Sequence, residues 1–358
     1  MNNKSNTQAL SYMPQLDSLR AFAVILVIIS HWFGENNFLN KYLPNGILGV
    51  TLFFVLSGYL ITGILLQNKK LIGEGKLSVQ KAFKKFYIRR ALRIFPIYYL
   101  LIFVLLVFNI ANIRQSFSWH FFYLSNFYFW IKGSFDGNLS HFWSLSVEEQ
   151  FYLFWPAIIF FVSRPKLPLI LITGIIAAML FRFGIRNEPK QMGRFLLPGS
   201  LDSFCIGGLI AYGKSYQTSW FNKLYAYRNK AMILFFILFI AVQAFFHFVK
   251  QPVLFLVFYF AVISVIFGQL ILLASYGIKK GPVAFILNSR LLINIGKISY
   301  GLYLFHNLIP FLYKLNIPFI PHPSFILIQA IRFLLLIALA TLSWVLFERP
   351  ILRLKKNI

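Results

Sequence analysis

Acidic residues are scarce: nine Asp and Glu stand against thirty-five Lys and Arg in 358 positions. Charge of either sign makes up only 12% of the chain. A soluble domain carries roughly 25% charged residues and about 45–50% apolar ones, whereas this chain is 59% apolar, with a mean hydropathy of +0.71. That excludes two ordinary soluble domains. A single cysteine, Cys205, excludes an intramolecular disulfide framework and a multi-cysteine metal site. Cys205 lies in an apolar run and reads as a packing residue. No Gly-rich phosphate loop and no metal-ligand spacing is present, so no metal is expected. The halves show no internal repeat, which weakens a transporter reading built on duplication.

What is present is a series of long apolar runs separated by short basic loops. The expected fold is all-α: a polytopic transmembrane helix bundle of about ten spans. The runs fall at 17–34, 47–67, 91–111, 142–163, 167–184, 198–213, 231–249, 252–275, 291–312 and 325–347. The sixth is short and Gly-rich. No small-residue cleavage site follows the first run, which reads as an uncleaved span. With the N-terminus inside, twenty-three Lys and Arg fall on the cytoplasmic side and nine on the other. That bias places both termini in the cytoplasm. It also accounts for the net charge of +26 without nucleic acid as a partner. The expected organisation is one integral-membrane domain over 1–358. It has a cytoplasmic tail at 1–16, a basic cytoplasmic loop at 68–90, a basic C-terminal tail at 350–358, and no appended outer domain. The aromatic segment 117–130 reads as an interfacial belt, with a sugar platform as the lesser alternative.

The polar residues inside the spans carry the functional argument, because such residues face a bundle interior or a wet cavity. Arg20 and His31 are eleven positions apart on the first run. That spacing puts them on one helix face, roughly 16 Å apart along the axis. Arg20 falls toward the cytoplasmic end and His31 toward the outer end. Glu148 and Glu149 open the fourth run, Asp202 the sixth, and His306 lies in the ninth. All four are expected at the outer level of His31. A histidine with an orienting carboxylate is what activation of a hydroxyl requires, so His31 and Glu148 are the expected catalytic pair. For His306 alone, locking helices together is the preferred reading. Arg90 and Arg93 are i,i+3 neighbours at the entrance to the third run, with Arg89 beside them. Paired guanidiniums suit phosphate recognition. A phosphate-bearing donor would dock on the cytoplasmic side and a hydroxyl acceptor on the outer side.

Six motifs in order are similar to those of the acyltransferase-3 integral-membrane acyltransferases. They are Leu16-Asp17-Ser18-Leu19-Arg20 through His31; Gly49 to Thr62, with Ser57; Arg90-x-x-Arg93 with Pro96; Phe142 to Tyr152; Ile298 to His306, with Tyr300; and Phe347-Glu348-Arg349-Pro350. The resemblance covers nearly the whole chain. It implies transfer of an acyl group, most often acetyl, from cytoplasmic acyl-CoA to a hydroxyl of an envelope glycan or lipid-linked glycan. O-antigen of lipopolysaccharide, exopolysaccharide and peptidoglycan are the implied acceptors, and the bacterial inner membrane the implied location. Carried over, His31 is the base or acyl relay, Arg20 and Glu148 assist it, and Arg89, Arg90 and Arg93 bind CoA phosphates. Asp17, Ser57, Glu149, Asp202, Tyr300 and His306 make up the supporting polar core. One departure stands out: where the family often has an arginine two residues before Asp202, this chain has Ser200. Two other functions stay open at this point, a glycan or lipid-intermediate flippase and acylation of a small molecule.

Overall fold

The computed structural model describes residues 12–34, 37–135, 137–249, 252–310 and 324–354. The outer parts of both expected tails, 1–11 and 355–358, lie outside them, as does Lys314. Among the described residues every regular element is helical. The long elements are α1 (Pro14–Trp32), α2 (Asn45–Gly73), α3 (Val79–Val107), α4 (Phe142–Phe161), α5 (Leu167–Gly184), α6 (Leu201–Tyr216), α7 (Arg228–Val249) and α8 (Pro252–Tyr276). Among the short helices that follow are α9 (Arg290–Lys297) and α10 (Ser299–Phe305), before α11 (Phe325–Arg353). Among the described residues seven helices are long and apolar enough to cross a membrane, or eight counting one bent pair that includes α6. The chain is therefore an all-α polytopic bundle.

Two expectations need correction. The ninth run, 291–312, is not one described span: it breaks into α9 and α10 at Ile298. Arg290, Asn294 and Lys297 recur at i, i+4 and i+7, so α9 has a polar stripe unsuited to crossing lipid. The loop expected at 68–90 is mostly helical, since α2 continues to Gly73 and α3 starts at Val79. Ser78 caps α3 by accepting from the Lys81 backbone N–H.

The bundle is organised around α2, which packs on α1, α4, α6 and α8. Gly58 on α2 lies against the backbone of Phe204, and Gly207 on α6 against Val55 O and Tyr59 N. A Cβ at either glycine would collide with the opposing main chain. These two positions let the α2 and α6 backbones touch, the small-residue route to tight packing in lipid. Phe204 then stacks on Phe54 of α2 at 4.7 Å and on Phe151 of α4 at 4.1 Å, tying three helices into one core. The aromatic segment 117–130 divides between surface and interior. Phe122 is exposed, whereas Tyr123 is buried and stacks on Tyr98 at 4.2 Å.

Candidate functional site

Three cations converge in the bundle. Arg20 of α1 and Arg90 and Arg93 of α3 line a cavity whose other walls come from α2, α4 and α10. Arg20 is oriented by Asp17, its i−3 neighbour, at 2.5 Å, and the other Asp17 oxygen accepts from Tyr12 Oη at 2.7 Å. The Arg90 guanidinium lies 3.7 Å from the centre of the Tyr152 ring. Its Nε is buried with no protein partner. Arg89 lies outside this cavity. It lines an adjoining vestibule that shares Arg20, Arg90 and Arg93 and adds Lys85. The spacing of Arg90 and Arg93 on one helical face thus brings both into the cavity.

The carboxylates are split between two surroundings. Glu148 and Glu149 line the cavity. Glu148 accepts from the Ser57 hydroxyl and lies 3.1 Å from Tyr152 Oη, which in turn is 3.0 Å from Ser57 Oγ. Tyr300 also lines the cavity and donates to the Ile94 carbonyl at 3.0 Å. Asp202 is elsewhere, fully buried in an ion pair with Arg182 (Nη2 to Oδ2, 2.6 Å). Arg182 also donates to Gly199 O and Val257 O at 2.7 and 2.9 Å. The cation absent at position 200 is supplied from α5, and Asp202 takes no part in the cavity. Arg182, near the end of α5, is fully buried. Glu348, for which the sequence suggested no role, is buried, accepts from Ser343 Oγ at 3.1 Å and lies within electrostatic reach of Arg93.

His31 is not with Glu148. It sits at the far end of α1 in a cluster of three histidines. His31 Nδ1 is 2.9 Å from Val27 O and 3.2 Å from His306 Nε2. His306 Nδ1 is 2.6 Å from Tyr303 O, and the His306 ring centre is 4.8 Å from that of His141. Carbonyl oxygens only accept, so they assign the tautomers. His306 carries its proton on Nδ1 and leaves Nε2 as an acceptor. His31 carries its proton on Nδ1, shared between Val27 O and His306 Nε2. His31 Nε2 is left with its lone pair and, among the described residues, no hydrogen-bond partner. The residue is exposed, while His141 and His306 are buried. Asn307 Nδ2 donates to His141 Nδ1 at 3.2 Å, and His141 Nε2 donates to Leu304 O at 3.2 Å.

The expected His31–Glu148 pairing fails on depth. His141 directly precedes α4 and sits at the level of the cluster. Glu148 is seven residues further along, roughly 10 Å deeper. The sequence assigned both to the same half of the membrane without that offset. His306, expected to lock helices together, is the residue that His31 Nδ1 faces instead. His141, Asn307, Ser144 and Tyr303 went unremarked, although each adjoins or falls within a quoted motif. Ser144 and Tyr303 form the layer between the two groups. Both line the cavity, their hydroxyls are hydrogen-bonded to each other, and both approach His141 O, at 3.1 and 3.2 Å. The Tyr303 ring centre is 5.5 Å from that of His306. None of the three histidines lines the cavity.

A sequence model of the family described as "Acyltransferase domain" matches residues 13–349. The chain is 40% identical over 182 residues to the peptidoglycan O-acetyltransferase OatA of Listeria monocytogenes, a match covering 46% of this chain and 27% of that protein. It is 30% identical over 355 residues to a Staphylococcus aureus protein provisionally named an O-acetyltransferase, covering 82% of this chain and 50% of that one. A Bacillus subtilis protein provisionally named a peptidoglycan O-acetyltransferase is 34% identical over 210 residues, covering 52% and 31%. The chain thus matches half or less of the length of these curated relatives. No solved structure matches it.

Proposed function

Because the chain belongs to the acyltransferase-3 family, whose model spans residues 13–349, we propose that it is an integral-membrane O-acetyltransferase of a cell-envelope glycan. Acetyl-CoA is its donor, and the bacterial cytoplasmic membrane its location. The observation that carries this reading is the pairing of a tri-arginine cavity with a histidine whose free nitrogen lies beyond its far wall. The cavity adjoins the basic end of the bundle, which the charge bias assigns to the cytoplasm. The CoA phosphates are bound by Arg89, Arg90 and Arg93, with Arg20 held in place by Asp17. The arm carrying the thioester reaches past Ser144 and Tyr303 to His31, with the phosphates left in the cavity.

At the opposite end His31 Nε2 takes the proton of the acceptor hydroxyl. The positive charge then on the ring is shared with His306 Nε2 through the Nδ1 proton. The hydroxyl oxygen bonds to the acetyl carbonyl carbon, the carbon–sulfur bond breaks, and the CoA thiolate is reprotonated by the imidazolium. The acceptor reading draws on the printed names of two relatives, which specify peptidoglycan. O-antigen and exopolysaccharide belong to the same hydroxyl-bearing class.

The test is transfer of labelled acetyl from acetyl-CoA by purified protein in proteoliposomes, with peptidoglycan fragments and other envelope glycans as acceptors. Loss of glycan acetyl esters on deleting the protein from cells is the matching result in vivo. Transport of a glycan without acetylation would overturn the reading in favour of a flippase. Acetylation only of a small molecule would overturn the acceptor.

A further inference from the structure

The tri-arginine cavity is the first of three adjoining spaces. The vestibule lined by Lys85 and Arg89 shares Arg20, Arg90 and Arg93 with it. That vestibule shares Met13, Leu60 and Gln67 with another, between the basic ends of α2 and α6. Leu60 and Gln67 are seven residues apart, so they form one ridge along α2, with cationic space on either side.

The further vestibule is lined by Lys70, Lys76 and Lys214, with Glu74 as its one carboxylate. Glu74 is taken by Lys76 at 2.7 Å. Lys214 Nζ donates to Ser275 O at 2.7 Å, lies 3.4 Å from Tyr59 Oη and 4.6 Å from the centre of the Tyr276 ring. These neighbours are dipoles and a ring face. They orient the ammonium but leave its charge uncancelled, and no ion pair engages Lys214 or Lys70 among the described residues. A half-buried ammonium without a carboxylate, facing a cavity, is a site for an anion.

We infer that the vestibule beside Lys70 and Lys214 binds the ribose 3′-phosphate of the donor, across the Leu60–Gln67 ridge from the arginines that hold its pyrophosphate. This rests on the acetyl-CoA reading above. Coenzyme A carries a 5′-pyrophosphate and a 3′-phosphate on one ribose, and the protein presents two cationic spaces separated by one helix ridge. From Ser57, in the cavity, to Lys70 is thirteen residues of α2, roughly 20 Å, a reach on the scale of the extended donor.

The experiment compares acetyl-CoA with acetyl-3′-dephospho-CoA in proteoliposomes. A charge-assisted contact to the missing phosphate makes KM about tenfold higher for the dephospho donor with the native protein. In Lys70→Ala and Lys214→Ala that discrimination collapses toward unity. Lys70 is exposed, so its variant keeps the test readable if Lys214→Ala misfolds. Equal KM values for the two donors with the native protein, or unchanged discrimination in the variants, would overturn the assignment. A second measurement separates it from the transferase reading: binding of adenosine 3′,5′-bisphosphate against 5′-AMP to the detergent-purified protein. Tighter bisphosphate binding that Lys70→Ala weakens supports the subsite even where no acetyl is transferred. Transfer without any preference for the 3′-phosphate leaves the transferase standing and removes the subsite.

Discussion

His306 Nε2 faces His31 Nδ1 at 3.2 Å, and the Tyr303 carbonyl, 2.6 Å from His306 Nδ1, fixes the direction of that hydrogen bond. In the proposed reaction an imidazole does the orienting that a carboxylate commonly does for a basic histidine. A neutral acceptor stabilises a charged partner less than an anion would, but it also adds no anion to a buried site. His306 is fully buried, and a carboxylate there would carry a large desolvation cost.

Replacing His31 with alanine removes the free Nε2. Acetyl transfer is expected to fall at least about 100-fold, the lower end of what a positioned base contributes. Membrane insertion and yield should match the native protein, because His31 is exposed. Radiolabel transfer, read beside fluorescence-detected size exclusion, checks both. Retained transfer would remove His31 from the reaction.

His306→Phe keeps the ring volume and removes the acceptor. The expected result is a kcat lower by about ten- to a hundredfold, the worth of one hydrogen bond to a charged group. Donor KM should change little, since His306 does not line the cavity. His306→Gln, which offers an amide oxygen, should recover part of the loss. A purely structural role would show instead as a lower thermal midpoint, with glutamine no better than phenylalanine.

Arg93→Ala and Glu148→Gln should both act on the donor, because both residues line the cavity. Arg93→Ala is expected to raise donor KM about tenfold or more and leave acceptor KM unchanged. Glu148→Gln loosens the Ser57–Tyr152 network behind Arg90 and should raise donor KM with a smaller effect on kcat. Donor and acceptor saturation curves for each variant decide the matter. A pure kcat defect in Glu148→Gln would return that residue to the proton-transfer step.

Arg182→Met leaves Asp202 buried without its partner. A loss of about 3–5 kcal/mol is expected, the cost of an uncompensated buried charge. Arg182→Met combined with Asp202→Leu should recover most of it, since apolar replacement of a buried pair is often close to neutral. Thermal unfolding in detergent reads both variants. Equal loss in the single and double variants would show that the salt bridge is not the source of the effect.

Much of this was legible in the amino-acid order. The 3.6-residue repeat placed Arg20 on the polar face of α1, and the Arg90-x-x-Arg93 spacing put both guanidiniums into the same cavity. The apolar runs located most of the long helices, but not the basic, helical start of α3, which begins at Val79 rather than at 91. The depth of Glu148 was not legible, because a run of apolar residues does not say where its helix stands relative to its neighbours. His141, one residue before α4, fixes that level only once it is seen against His306. The Arg182–Asp202 pair was hidden for a related reason. Arg182 stands near the end of an apolar run, and its burial depends on α5 meeting the turn at Gly199 and the π-helical stretch at Val257. The break between α9 and α10 was visible in the polar stripe of Arg290, Asn294 and Lys297, but the apolar residues around it outweighed the stripe in a hydropathy reading.

The layer made by Ser144 and Tyr303 has an electrical consequence. A cavity that enters from one end shortens the path over which the transmembrane voltage falls, and the remaining drop concentrates across whatever closes it. Moving one elementary charge through the full drop costs or yields about 2.3 kcal/mol per 100 mV. The arm that carries the thioester is neutral, and the proton that leaves the hydroxyl returns to sulfur on the same side of the layer. Passing that arm through the septum does no work against the field, whereas passing the polyanionic phosphates would. Keeping the phosphates on the basic side and sending only the neutral arm onward makes the proposed transfer insensitive to how strongly the cell is energised.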